Sequence, residues 1–102
     1  MRLYHGTSKS FLSNIMSDGV QSPSYWGTLE QAEDYARSYS DGVIISADID
    51  ESSLCASLLM AEQMYENGDI DEIPESENLE YSLEFLGGIT CEQDISDFEV
   101  ID

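Results

Sequence analysis

Acidic side chains dominate the C-terminal half of this 102-residue chain, and this distribution limits the ways in which the chain folds. The sequence has 22 Asp and Glu residues but only three Lys and Arg residues, so its formal net charge is -19. Residues 48–102 hold 17 of the 22 carboxylates and contain no cation. Because self-repulsion of this size opposes a compact state, the apolar residues must drive folding. Hydrophobic residues make up 41% of the chain, which is typical of a globular protein.

The length predicts a single domain that spans residues 1–102. Cys55 and Cys91 are too few for a disulfide framework and lack metal-ligand spacing, so we expect both to be reduced and buried. A single histidine excludes a zinc site of the usual His-rich type, and no metal is expected. The sequence has no apolar run typical of a signal peptide or of a membrane span of ~18 residues, which predicts a cytoplasmic protein.

Strand and helix patterns alternate in the first half of the chain. Apolar spacing predicts, in order, a strand over 2–5, a helix from Ser8 or Ser10 to Gly19, a short aromatic stretch within 21–27, a helix over 29–39 and a strand over 42–49. The helix over 29–39 has the clearest pattern, because Thr28 and Gln31 form the S/T-x-x-E/Q capping box.

The second half begins with a predicted acidic helix over 52–66, which ends at Asn67-Gly68, and a charged loop over 68–78. Leu79, Tyr81, Leu83 and Phe85 then alternate with polar residues, which predicts a strand over 79–85. After Gly87-Gly88, the segments "ITC" and "DFEVI" predict one or two closing strands. The whole pattern indicates an α+β fold whose late strands are antiparallel, without a glycine-rich phosphate loop.

The negative charge also restricts the partners of the protein. A field of this sign repels DNA, RNA and anionic lipid, so no direct binding to nucleic acid or membrane is expected. The same field attracts proteins with a basic surface, including enzymes that hold nucleic acid. The density of carboxylates is also typical of a protein that imitates the phosphates of a DNA duplex, which carries one charge per ~1.7 Å.

Three segments taken together carry a family resemblance: "LYHGTS" at 3–8, "YWGTLEQAEDYA" at 25–36 and "LEYSLEF" at 79–85. In this order they resemble the ADP-ribosyltransferase superfamily, in the His-Tyr-Glu branch that includes diphtheria toxin and the poly(ADP-ribose) polymerases. The match covers residues 1–50 best. The resemblance implies a compact split β-sheet with flanking helices, a cleft between its halves, and NAD as substrate.

The resemblance also implies roles for individual residues around the nicotinamide end of NAD. His5, in the motif His5-Gly6-Thr7, would hydrogen-bond a ribose hydroxyl, and the backbone of Gly6 would clamp the carboxamide. Tyr25 and Tyr35 would sandwich the nicotinamide ring by offset stacking. These five residues are the predicted cofactor-binding set, together with Arg2.

The resemblance further implies a catalytic carboxylate near the ribose, where positive charge develops as the nicotinamide bond breaks. Glu80, which precedes an aromatic residue, and Glu84, on the same predicted strand face, are the two candidates. The only cationic side chains that the pyrophosphate of NAD could contact are Arg2 and, after it, Lys9 or Arg37.

Two classes of function therefore stay open. The first is an ADP-ribosyltransferase acting on a macromolecule, for example as a phage effector against host defence in the host cytoplasm or as a toxin with an antitoxin. The second is a non-catalytic acidic inhibitor, similar to a DNA mimic, that blocks the basic surface of a restriction, CRISPR or polymerase component. A purely structural role is the alternative for each of these residues, because tyrosines also pack in cores and glutamates also cover the solvent-exposed faces of strands.

Overall fold

Two small antiparallel sheets and the helices around them make up the computed structural model, which describes residues 1–101. The elements are β1 (Arg2–Ser8), α1 (Lys9–Asp18), β2 (Ser24–Trp26), α2 (Leu29–Ala36), β3 (Gly42–Asp48), β4 (Leu54–Ala56), α3 (Leu58–Glu66), α4 (Leu79–Phe85), β5 (Ile89–Cys91) and β6 (Glu99–Ile101). A 3-10 turn at Glu51–Ser53 precedes β4. The predicted α+β class is confirmed.

The strand order is β1-β3-β6 in the first sheet and β2-β5-β4 in the second. Every pairing within these sheets is antiparallel, which confirms the prediction for the late strands. The two sheets meet where β1 passes the end of β2. There the N–H of Tyr4 donates to the carbonyl of Gly27 at 2.9 Å, and the N–H of Gly27 donates back at 2.8 Å. This junction holds the sheets side by side.

The hydrophobic core lies where the two sheets meet. β3 is its central strand, as its β-branched run predicts, with residues 43–47 all buried. Leu3 comes from the neighbouring strand β1, and Trp26, Ile89 and Cys91 come from β2 and β5 of the second sheet. α1 covers the core with Leu12 and Ile15, which are partly buried at helical spacing. Cys91 is buried as predicted, Cys55 is only half-buried, and both thiols are free.

Residues 79–85 form a helix, so the predicted strand is wrong. The same segment satisfies helical spacing, because Leu79, Ser82, Leu83 and Leu86 share one face and all four are buried or partly buried. The side chain of Asn78 caps the first turn by accepting from the N–H of Tyr81 at 3.2 Å. The alternation of apolar and polar residues is present but does not decide the structure; the Asn78 cap and the packing of Leu79 and Leu83 against the core favour the helix.

The predicted helix over 52–66 is also corrected, because its first part forms β4. Strand β4 pairs with β5 in the register Cys55 to Thr90, and α3 begins only at Leu58. The backbone of residues 54–56 forms hydrogen bonds with β5. In a helix, the same backbone groups would have had to bond within the helix. Elsewhere β1 extends to Ser8, and α2 ends at Ala36 rather than at residue 39.

Within residues 1–101, no helix has both the length and the apolar character needed to cross a membrane.

Candidate functional site

A cleft of about 210 Å³ opens at the junction of the two sheets. Its walls come from β1, β2, α2 and the turn after α4, with the start of α3 at the rim. The residues that line it are 4–7, 25–27, Gln31, Ala32, Tyr35, Tyr39, Ser57, Met60 and 86–88. His5, Gly6, Thr7, Tyr25 and Tyr35, which the sequence singled out, therefore all lie around one cavity.

His5 is held in a defined orientation in this cleft. Its Nδ1 lies 2.6 Å from the carbonyl oxygen of Tyr25, and its ring centroid lies 5.3 Å from that of Trp26 at a tilted angle. Burial lowers the pKa of His5 from its usual 6.5, and the hydrogen bond to the Tyr25 carbonyl opposes this shift only in part. Burial therefore favours the neutral form of the imidazole. Because a carbonyl only accepts, Nδ1 carries the proton and Nε2 remains as an acceptor.

The two tyrosines contribute aromatic surface without being part of the core. Tyr25 is 46% exposed and Tyr35 is 54% exposed, although both line the cleft. Tyr25 comes from the middle of β2, whose neighbours Ser24 and Trp26 are buried, so strand alternation turns it outwards. Tyr35 comes from the last turn of α2. Their rings are available to a flat ligand in the cleft.

Gly6 is required by helix packing rather than by the cleft alone. A Cβ atom on Gly6 would overlap the carbonyl oxygen of Ala32 and lie 2.9 Å from the backbone nitrogen of Ala36. Only a residue without a side chain lets α2 approach β1 this closely. Gly6 thereby sets the distance between α2, which carries Tyr35, and β1, which carries His5.

A network of buried hydroxyl groups holds together the part of the cleft wall that is formed by the start of α3 and the turn after α4. The backbone N–H of Ser57 donates to Ser82 Oγ at 2.9 Å, and Ser82 Oγ donates to the carbonyl of Gly88 at 2.5 Å. Ser57 Oγ lies 3.1 Å from Thr90 Oγ1. Ser82 is fully buried and ties the start of α3 to the turn after α4.

Gln31 connects α2, which forms one wall of the cleft, to α4. Its backbone N–H donates to Thr28 Oγ1 at 3.2 Å and its Oε1 accepts from the N–H of Thr28 at 3.0 Å, which confirms the capping box. The Nε2 of the same side chain donates to the carbonyl of Leu83 at 2.6 Å. One glutamine thus starts α2 and fixes α4 beside it.

Three residues of the predicted site lie elsewhere. Glu80 and Glu84 are exposed on α4 and do not line the cleft. Arg2 lies three residues before His5 on an extended strand, about 10 Å away at ~3.3 Å per residue. Its Nη1 donates to Ser46 Oγ at 3.3 Å. Among the described residues, those that line the cleft include no Asp, Glu, Lys or Arg.

Sequence reasoning missed several residues of the cleft. Ser57, Met60 and 86–88 had no motif that marked them. Trp26 stands in the segment 25–36 but was given no role, and Gln31 was recognised only as a helix cap. Their one available signal was the Gly87-Gly88 pair, which was interpreted only as the end of the predicted strand over 79–85. The fold brings them together because β5 pairs with β2 and with β4, which leads into α3.

Comparison of the chain with protein-family models, with curated proteins and with solved structures gave no match. Its function must therefore be inferred from the cleft and from the charge around it.

Proposed function

We propose that this chain is an ADP-ribosyltransferase-like protein that binds the nicotinamide end of NAD in the cleft and transfers ADP-ribose to a macromolecular acceptor. The observation that carries the proposal is that an oriented His5 and two half-exposed tyrosines line the same cleft. Its Nε2 is an acceptor for a ribose hydroxyl, and Tyr25 and Tyr35 offer their rings to the nicotinamide. The split pair of sheets, with the cleft between them, supports an ADP-ribosyltransferase-like fold.

The size of the cleft suits one end of NAD rather than the whole dinucleotide. Its volume of about 210 Å³ lies below the ~300–1,000 Å³ of sites that enclose drug-sized ligands. A nicotinamide ring with its ribose fits such a space, and the adenosine end would lie along the surface. Since no cation of residues 1–101 lines the cleft and the net charge is -19, the pyrophosphate gains little and NAD binds weakly.

For the transfer step we retain Glu80 and Glu84 as the carboxylate candidates. Both belong to α4, which the Gln31 to Leu83 hydrogen bond holds against the cleft wall. As the bond between nicotinamide and ribose breaks, nicotinamide leaves with the bonding electron pair and positive charge develops on the ribose. A carboxylate near the ribose stabilises that charge, and a nucleophile of the acceptor then bonds to the anomeric carbon and loses its proton.

Binding is tested by titrating nicotinamide and NAD into the protein and following ligand-observed NMR signals. We expect saturable binding of both ligands, weakened about tenfold by His5→Ala or Tyr35→Ala, as expected for losing roughly 1.4 kcal/mol. Tyr65→Ala is the matched control, because Tyr65 is a half-exposed tyrosine outside the cleft. Absence of saturable binding, or affinities of the His5 and Tyr35 variants equal to that of the parent protein, would overturn the proposal.

Turnover is tested separately by measuring nicotinamide release from NAD in the presence of cell extract. Glu80→Gln and Glu84→Gln keep the size of the side chain and remove its charge. Loss of release in one variant identifies the carboxylate. Release that persists in the double variant excludes both residues as catalytic, and absent release with intact binding limits the function to NAD binding.

A second candidate function follows from the unpaired charge. The ion pairs among residues 1–101 join the N-terminal amine to Asp48 at 3.0 Å and Arg37 to Asp34 at 2.6 Å. The other described carboxylates have no cation partner, so they present negative charge to a basic surface. This supports an acidic inhibitor that occupies the nucleic-acid site of a partner enzyme. Binding to that enzyme should then fall steeply with salt and be competed by DNA.

A further inference from the structure

The exposed side of α3 carries large apolar side chains next to acidic ones. A helix that faces only water would carry polar side chains there. Helical spacing places Leu58, Leu59, Glu62, Tyr65 and Glu66 on one side of α3, and all five are exposed. We call this set the α3 outer face. Leu59 is 66% exposed and Tyr65 is 50% exposed. Ala61 and Met64 point the other way and are buried or partly buried.

The α3 outer face lies beside the cleft. Ser57, which precedes α3, and Met60, in its first turn, both line the cleft. The loop after α3 extends the negative charge with five further exposed carboxylates, at Asp69, Asp71, Glu72, Glu75 and Glu77. A molecule bound on this face would therefore meet an acidic border while it lies on the helix whose start lines the cleft.

The charge decides which kind of molecule covers this face. A second copy of the chain brings another net charge of -19, so two copies repel each other. Nucleic acid and anionic membrane are repelled for the same reason. A cationic protein segment is attracted, and its apolar side chains would cover Leu58, Leu59 and Tyr65 while its Lys or Arg residues pair with Glu62 and Glu66.

We propose that the α3 outer face docks a basic, amphipathic segment of a partner protein. This deepens the proposed function and rests on it in one respect, because a partner docked on the helix that begins at the cleft would be a macromolecular acceptor held near it. The docking itself needs only the apolar and acidic side chains of α3. Apolar contact provides the anchor and the acidic border orients the partner.

The chain offers a matched control for this surface. Met16, on α1, is 66% exposed, as Leu59 is, but it lies in the part of the chain that contains the three cations. If any exposed apolar side chain sufficed, replacing Met16 would have the same effect as replacing Leu59. If the α3 outer face is the site, only the Leu59 variant binds more weakly.

The experiment measures fluorescence anisotropy of two labelled synthetic peptides of equal length and charge, one of Leu and Lys and one of Ser and Lys. We expect the Leu/Lys peptide to bind more tightly at both low and high salt. Leu59→Ser and Tyr65→Ser should each weaken it about tenfold, a typical loss at an interface anchor. Met16→Ser should leave it unchanged, and Glu62→Gln with Glu66→Gln should reduce the salt dependence.

Equal affinity for the two peptides would overturn the proposal, since charge alone would then explain binding. Equal loss in the Leu59 and Met16 variants would also overturn it. Circular dichroism confirms that each variant is folded. His5→Ala should bind the peptide as the parent protein does, and Leu59→Ser should bind NAD as the parent does. Failure of docking and failure of NAD binding are thus read separately.

Discussion

The Nδ1 of His5 and the carbonyl oxygen of Tyr25 lie 2.6 Å apart, across the junction of the two sheets. This contact links the strand that begins the chain to the strand that carries the first cleft tyrosine. It fixes the tautomer of the imidazole and directs Nε2 to accept rather than donate. The orientation of the candidate ligand-binding histidine thus depends on a backbone group 20 residues away.

The lowered pKa of His5 predicts how stability changes with pH. Because the folded protein binds a proton at His5 less readily than the unfolded chain does, its contribution to stability is fully present above about pH 6.5. That contribution is lost as the pH falls through the pKa of the folded state. His5→Gln keeps a donor for the Tyr25 carbonyl and does not titrate. Urea unfolding between pH 7.5 and 5 should show a fall in the parent that exceeds the fall in the variant.

Gly6→Ala should separate α2 from β1. The added Cβ meets backbone atoms of Ala32 and Ala36, which cannot rotate away, so we expect a loss of at least ~2 kcal/mol in the free energy of unfolding. Hydrogen exchange should accelerate in α2. Gly68→Ala is the comparison, since its Cβ meets nothing within 4 Å and only its positive φ of 82° opposes the change. Unchanged exchange in α2 of the Gly6 variant would contradict this packing.

The two roles of Gln31 are separable by substitution. Thr28→Ala removes the hydroxyl cap and should cost about 1 kcal/mol. Gln31→Glu keeps an acceptor for the Thr28 N–H but replaces the donor to the Leu83 carbonyl with a carboxylate oxygen. We expect the glutamate variant to lose more stability than Thr28→Ala and to shift the NMR signals of α4. Shifts confined to α2 would show that the Leu83 contact is unimportant.

Ser82→Ala should loosen the cleft wall. It leaves the buried N–H of Ser57 and the carbonyl of Gly88 without their shared hydroxyl, at a cost of about 1–3 kcal/mol. Thermal unfolding measures this loss. Ser76→Ala is the control, because the Ser76 hydroxyl is exposed and bonds only the neighbouring Glu77 side chain. Equal unfolding temperatures for the two variants would contradict the role given to the network.

Added salt should stabilise the protein. With a net charge of -19 and little pairing, repulsion among carboxylates is a destabilising term that salt screens. We expect the melting temperature to rise steadily between 0.01 and 0.5 M KCl, conditions over which the Debye length falls from ~30 Å to a few ångström. A melting temperature that falls with salt would mean that attractive pairs outweigh the repulsion.

Local sequence patterns determined much of the first half of the fold. The capping box at Thr28 and Gln31, the apolar run of β3 and the stop at Gly19 each rest on residues close in the chain, so the sequence alone was sufficient. The grouping of His5, Tyr25 and Tyr35 was implied by the family resemblance rather than by local patterns; the three residues do line one cleft, and the use of that cleft for NAD stays a prediction. The single domain and the choice between Glu80 and Glu84 stay predictions too.

Only tertiary structure decided the second half of the fold and the far wall of the cleft. Residues 79–85 fit both a period of two and helical spacing, and the choice depended on the Asn78 cap and on packing of Leu83 against the core. Strand β4 formed because β5, more than 30 residues later, was available to pair with it. Spacing within a segment determines which faces are apolar, but the partner of each face lies elsewhere in the chain.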